Sequence, residues 1–374
     1  MTTRLRVSVT LGKLGSGVHG KLYPAIVWDD QKTTVTGTVS GFFNLAWGLA
    51  ERGHSVDAFC DTDAQPERID GVNFYSVNDP RPIKTYDVRI SILEPDILRA
   101  APPSDLRVVV QWLNSFSYCE EGFDDYVDVY VSPSATHLNH LVRGGISRDK
   151  LVQVPLSINP ALYEARKRRP FSIAYASSPD RGLHHLLNWW PEIKERVPEA
   201  ELRVYYRVEP WLREILDEPS QRGSLMWKRA KTVFDFFMKS KDGDGVTLVG
   251  PTPTRKMMQT LCETRVLAYP CDPLRFTEGF SVTVLDACAA GCVPVISGAD
   301  ALMELWWNAA HVIPGKPAEK KDRWLDALVL ALNDDDFASE VRVSAKARAR
   351  ELTRGRVAEV WERMLLEKLK EKRR

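Results

Sequence analysis

The chain has 374 residues, with 51 Lys and Arg against 50 Asp and Glu, giving a formal net charge of +1. That length exceeds one ordinary core and suits two domains, and the balanced charge gives no bulk electrostatic sign of a nucleic acid or acidic polymer partner. The six cysteines contain no C-x-x-C pair, which argues against a zinc site and for a reducing, cytoplasmic setting.

In chain order, MTTRLRVSVTLGKLG lacks the apolar core of a signal peptide, and no later run approaches the ~18 apolar residues of a membrane span. Residues 4–11 (RLRVSVTL) read as a buried strand. A literal G-x-G-x-x-G follows at Gly15, Gly17 and Gly20. A dinucleotide site would need a helix opening there, yet KLYPAIVWDDQKT carries a proline and no helical period, so that reading is set aside. The loop, with His19, stays a candidate wall for an acceptor. Residues 38–59 predict a helix, a glycine stop at Gly53 and a second strand. Just ahead of this helix, TGTVSG offers Gly37 as a place where backbone N–H groups approach a phosphate. Ordinary threonine capping explains the same stretch equally well. Further β-rich runs at 87–93, 107–113 and 127–132 alternate with helical stretches, as in a parallel sheet with crossover helices. Residues 152–163 close this half, and the charged EARKRRP (164–170) reads as a linker.

The pattern then restarts, with a strand at 171–177, a helix at 181–198 and strands at 200–206, 246–250, 264–270 and 292–297. The prediction is α/β: two doubly wound Rossmann-like domains, 1–165 and 166–337, facing a cleft, with ligands at the carboxyl ends of the strands. An insertion at 207–245 carries Trp211, Trp227, Phe234, Phe236 and Phe237. These read mostly as the core of a helical excursion, with a lid or dimer contact as the alternative. The segment 338–374 is helical, places Val357, Trp361, Met364, Leu365 and Leu369 on one side, and is expected to pack back across the domains. Its basic end KLKEKRR reads as a solvated terminus, with at most a weak peripheral membrane contact.

Two stretches of the second half carry candidate chemistry. YASSPDRGL (175–183) puts Ser177, Ser178 and Arg181 at a strand's carboxyl end, a phosphate clamp or simply a turn and helix cap. His184 and His185 follow inside the helix and read as structural; His137 and His140 have no evident third ligand, so no metal site is predicted. In FTEGFSVTVLDACAAGCVPVIS (276–297) a helix starting at about Gly279 would leave the N–H groups of Gly279, Phe280 and Ser281 facing outward, an anion site. Glu278 and Asp286 would then lie within roughly 80° of one another and ~12 Å apart along the axis. A molecule with hydroxyls at both ends and a diphosphate between them, such as a nucleotide-sugar, fits that layout. A capping Glu278 and a solvated Asp286 fit the spacing as well.

Taken together, these stretches resemble the retaining glycosyltransferases of the GT-B fold, especially glycosyltransferase family four. TEGFSVTVLDACAAGCVPVI looks like the family's E-x7-E segment, and GTVSGFFNLAWGLAERGHSV like its glycine loop, helix and following strand. VSPSATHLNHLVRGGISRDKLVQVPLSINPALY is similar to the inter-domain approach, and SSPDRGL to the phosphate-binding turn. The resemblance implies that Glu278 holds donor-sugar hydroxyls, with the amides of Gly279 and Phe280 beside sugar and diphosphate. It implies that Asp286 binds the ribose, although the family has the longer glutamate there. Arg181 would neutralise phosphate. The family's companion arginine is absent, with Ser177 and Ser178 near its place and Arg275 available from the loop before Glu278. Gly37 would approach the diphosphate from the first domain, and Asn114 falls where many members carry a histidine at the sugar.

The expected activity is metal-independent transfer of a hexose or pentose from a UDP- or GDP-sugar, with the anomeric configuration retained and no cofactor. A non-catalytic nucleotide-sugar-binding subunit and a nucleotide-sugar epimerase are the other readings. The acceptor stays open among a glycan, a lipid-linked sugar, a small molecule, a protein and a modified nucleic-acid base, as does the oligomeric state. Trp28, Trp112, Trp306 and Trp307 are candidates to stack on a sugar or base, or core residues.

Overall fold

The computed structural model describes residues 3–12, 21–30, 35–78, 85–102, 105–112, 121–239 and 244–374. Gly15, Gly17, His19, Gly20 and Asn114 lie outside the described residues. The chain forms two compact units: Met1–Pro160 together with Glu351–Arg374, and Ala161–Arg350.

The first unit is built on β1 (Arg6–Leu11), α1 (Gly37–Glu51), β2 (Ser55–Cys60), β3 (Glu67–Ile69), β4 (Val72–Ser76), β5 (Val88–Ile92), β6 (Leu106–Val110), β7 (Val129–Ser132), α2 (Ala135–Arg143) and β8 (Leu151–Gln153). Its sheet runs β3-β4-β2-β1-β5-β6-β7-β8, parallel throughout except for β3 against β4. In β1 (RVSVTL) Val7, Val9 and Leu11 on one face and Ser8 and Thr10 on the other are all buried, because both faces of the sheet are covered. The β3–β4 hairpin escaped the sequence reading, although Asp70-Gly71, both at positive φ (46° and 86°), is a strong hairpin signal.

The C-terminal helix (Arg354–Lys372) packs on α1 and belongs to this unit. Val357, Trp361, Met364, Leu365 and Leu369 are all buried. The two helices approach closely because Gly48 faces Ala358, where an added Cβ would sit 3.0 Å from the alanine methyl. Glu362, buried here, accepts from Arg52 Nε at 3.0 Å and lies 3.3 Å from His54 Nε2. Lys372, in the supposedly solvated basic end, donates to Asp128 Oδ2 at 2.6 Å and Asp105 O at 2.7 Å.

The second unit contains β9 (Ser172–Tyr175), α3 (Leu183–Arg196), β10 (Glu201–Val204), α4 (Val208–Leu216), α5 (Leu225–Lys239), β11 (Val246–Leu248), α6 (Thr254–Glu263), β12 (Val266–Tyr269), α7 (Val282–Ala290), β13 (Val293–Ser297), α8 (Leu302–Trp306), β14 (His311–Ile313), α9 (Lys321–Asn333) and α10 (Asp335–Glu351). Its all-parallel sheet runs β11-β10-β9-β12-β13-β14.

The unit boundaries depart from the expected 165/166 and 337/338. EARKRRP is not a free linker, because Arg168 donates to Thr264 O and Ala290 O, both at 2.7 Å, and Arg169 N to Glu263 O at 2.8 Å. A guanidinium at the end of α7 satisfies a helix carbonyl and complements the dipole, which binds this stretch to the second unit. The C-terminal segment is divided: α10 stays with the second unit and the last helix with the first.

The insertion is indeed helical, as α4 and α5, but its aromatics are not mostly core. Trp211 is buried, whereas Trp227, Phe236 and Phe237 are half-buried and Phe234 is exposed. The two helices pack on each other and α5 also on α3; each has one inward stripe, so apolar residues off that stripe face outward. Among the described residues, no helix is long and apolar enough to cross a membrane.

Candidate active site

In the second unit the chain leaves β9 toward β10 on one side and returns to β12 on the other. This reversal makes the carboxyl ends of β9 and β12 a topological switch point, where loops diverge and ligands bind in such sheets. The last residues of the two strands are the buried Tyr175 and Tyr269, their rings edge-on at 6.1 Å.

After β9, Pro179–Arg181 makes a single 3₁₀ turn, and Tyr175 donates to Ser178 O at 2.7 Å. Gly182 then presses on the β12 loop at φ 129°: an added Cβ would meet Pro270 O at 2.0 Å. Asp272 N donates to Arg181 O at 3.2 Å, locking the loops edge to edge. Across this seam the Arg181 guanidinium pairs with Glu278 Oε1. The same oxygen accepts from Tyr269 OH at 2.8 Å, and Ser177 Oγ donates to that hydroxyl at 3.1 Å. Ser178 is turned instead to Asp180. Burial works against the Arg181 charge, but Glu278 beside it more than offsets this and holds the guanidinium above its ordinary range. Burial also keeps the Tyr269 phenol protonated, well above its usual value, so it remains a donor. Among the described residues, Glu278 Oε2 has no donor, and Arg275 is exposed with no ion pair.

The amide cradle differs from its expected form. The helix begins at Val282, not near Gly279, and its N-cap Ser281 sits in the left-handed region at φ 74°. A non-glycine residue there is strained by about 1–3 kcal/mol and stops the helix from extending backward. Glu278 therefore lies outside the helix, so the shared-helix geometry of Glu278 and Asp286 does not apply. The amides of Thr277 and Glu278 are both taken by Asp300 Oδ2, at 2.9 and 3.0 Å. Those of Phe280 and Ser281 bond to none of the described residues. Phe280 itself is fixed by Trp306, whose Nε1 donates to Phe280 O at 3.0 Å and whose ring packs on it at 5.6 Å. Trp306 is thus core, and Trp307 is 66% exposed.

Asp286 is half-buried, and Tyr163 OH donates to its Oδ1 at 2.5 Å. Burial pushes its carboxyl up to about 7 from 3.8, the Tyr163 hydrogen bond pulling the other way. Because the native state holds a proton that the unfolded chain has already released, this group's stabilisation is complete below pH 3.8 and is lost as pH rises toward 7. Asp286→Asn is therefore expected to flatten the pH dependence of the denaturant midpoint across that window. An unchanged slope would assign the proton elsewhere.

Gly37 opens α1 in the first unit behind Thr36, whose hydroxyl accepts from Val39 N at 3.4 Å, so ordinary threonine capping is present there. His184, His185 and Asp272 lie within 4.8 Å of one another. Arg229 Nη2 sits 3.0 Å from Asp272 Oδ2, and His185 Nε2 lies 2.8 Å from the same oxygen. A fixed guanidinium on that carboxylate opposes a cation, and the group reads as a salt-bridge network. Burial, then His185 and Arg229, drive His184 down to about 3, so it stays neutral.

The sequence reading missed Tyr269, Asp300, Tyr163, Asp272 and Arg229. Tyr269 ends a readable strand, which was a usable signal. Nothing local marks Asp300, and Arg229 is legible only as a charge on a helix's buried side, its partners supplied by the fold.

A scan against protein-family models finds no match, and neither does a search of curated proteins. Solved structures do match. AviGT4, a glycosyltransferase of avilamycin A biosynthesis, superposes with a TM-score of 0.65 at 16% identity over 98% of both chains. Anabaena HepE, solved with UDP and glucose, gives 0.65 at 11% over 97% of this chain and 100% of its own. Sucrose-phosphate synthase from Thermosynechococcus elongatus gives 0.68 at 12% over 97% and 98%. With its two parallel-sheet units in this order, the chain has the GT-B fold of glycosyltransferases.

Proposed function

We propose that the protein is a retaining glycosyltransferase that moves a hexose or pentose from a UDP- or GDP-sugar to an acceptor. One observation carries the reading: a buried carboxylate, Glu278, and a guanidinium, Arg181, meet at the switch point of the second unit's sheet. The fold match and the UDP and glucose bound to HepE support the donor class. In this reading Arg181 takes the diphosphate, Glu278 Oε2 takes sugar hydroxyls, and Tyr269 holds Oε1. The amides of Phe280 and Ser281, which bond to none of the described residues, face the donor phosphate, and Asp286 shares the ribose with Tyr163. Ser177 acts behind Tyr269, while Ser178, Gly279, Arg275, Gly37 and Asn114 are assigned to the donor from the sequence alone.

The bond from the anomeric carbon to the diphosphate breaks, its electron pair leaving on the phosphate oxygen. The acceptor oxygen bonds to the same face of that carbon, and its proton passes to the departing phosphate. Prearranged N–H donors and a guanidinium stabilise the developing charge without reorganisation.

Purified protein is expected to release a nucleoside diphosphate from one member of a UDP- and GDP-sugar panel in the presence of acceptor. NMR of the product should show the donor's anomeric configuration, and excess chelator should leave turnover unchanged. Donor binding without release across a broad acceptor set would demote the chain to a binding subunit. Product of inverted configuration would overturn the mechanism, and loss of turnover in chelator would overturn its metal independence.

A further inference from the structure

Arg229 lies on α5, in the middle of the 207–245 insertion, and is 5% exposed. Burying an arginine is costly unless its N–H groups find acceptors. Its Nη1 donates to Asp180 O at 2.7 Å and to Asp272 O at 2.5 Å, and its Nη2 to Asp272 Oδ2 at 3.0 Å. Asp180 immediately precedes Arg181, and Asp272 is the residue whose N–H donates to Arg181 O. One guanidinium therefore bridges the two loops of the switch point, gripping the backbone on either side of the residue that pairs with Glu278. His185, on α3, lies 2.8 Å from the same Oδ2 of Asp272.

An arginine serving only to anchor the insertion would do as well on any carbonyl of the nearby helices. All three bonds that it makes among the described residues fall instead on Asp180, which precedes Arg181, and on Asp272, whose N–H donates to Arg181 O. We infer that Arg229 is a positioning residue: through the Asp180 and Asp272 carbonyls it sets where Arg181 presents its charge to the donor diphosphate. The inserted helices thus belong to the phosphate-binding apparatus without touching ligand. Arginine suits this task because its planar fork reaches two carbonyls and a carboxylate at once, whereas lysine offers a single point charge. The inference rests on the assignment of Arg181 to the diphosphate.

The test uses the full chain and two probes: the nucleoside diphosphate that the wild type binds (UDP first, then GDP) and its parent nucleoside. Arg229→Ala is expected to weaken diphosphate binding and to lower kcat/KM by about 10²-fold, the scale of a small misplacement at a reacting centre. Nucleoside affinity should not change. Arg229→Lys should fall between the two, and because it keeps the charge paired with Asp272 it serves where the alanine variant does not fold. Combined with Arg181→Ala, either variant should add almost nothing further, since both act through one guanidinium. Additive losses, or equal losses for nucleoside and diphosphate, would overturn the inference and leave Arg229 a structural anchor. If Arg181→Ala alone leaves diphosphate binding intact, the site assignment itself fails, a distinct outcome.

Discussion

Glu278→Gln is expected to lower kcat by ~10²–10³-fold, the range for removing one preorganised charge contact from a transition state. Glutamine matches glutamate in size and can still accept from Tyr269, so the loop keeps its shape. It cannot balance Arg181 or draw sugar hydroxyls with a full negative charge as the anomeric carbon becomes positive. The loss should therefore fall on kcat more than on KM. Some stability should be lost as well, because the Glu278 side chain is only 5% exposed and its charge offsets the burial of Arg181. Steady-state kinetics together with a thermal midpoint separate the two effects. A variant with wild-type kcat would remove Glu278 from the chemistry.

Gly182→Ala is expected to destabilise the second unit by ~3 kcal/mol and to abolish turnover. At φ 129° an L side chain is strained by itself, and its Cβ would stand 2.0 Å from the Pro270 carbonyl oxygen. That atom is backbone and cannot swing aside, so the β9 and β12 loops would have to part. Parting them breaks the Asp272–Arg181 backbone bond and carries Arg181 away from Glu278. A unit of this size should lose ~6–12 °C in thermal midpoint. Gly145→Ala is the control: it also has positive φ, 101°, but nothing lies within 4 Å of an added Cβ. Equal losses from the two would show that backbone strain, not the seam between the loops, sets the cost.

The insertion changes meaning once its contacts are seen. Its aromatics looked like core and proved largely peripheral, while its one buried arginine reaches the loops beside Arg181. Helical periodicity reports which residues face inward, not what they meet there. A charged residue on an inward stripe is visible in sequence; its partners are not.

Sequence alone determined the two α/β halves, most of their strands, and the candidacy of Arg181 and Glu278. Apolar periodicity and turn residues act over a few positions, and that range suffices to place elements and strand ends. The capture of two amides by Asp300, the Tyr163–Asp286 bond and the reach of Arg229 to the loops beside Arg181 belonged to tertiary structure. Each depends on groups 22 to 123 residues apart in the chain, and only a sheet order that reverses at β9 and β12 brings such groups within hydrogen-bonding reach.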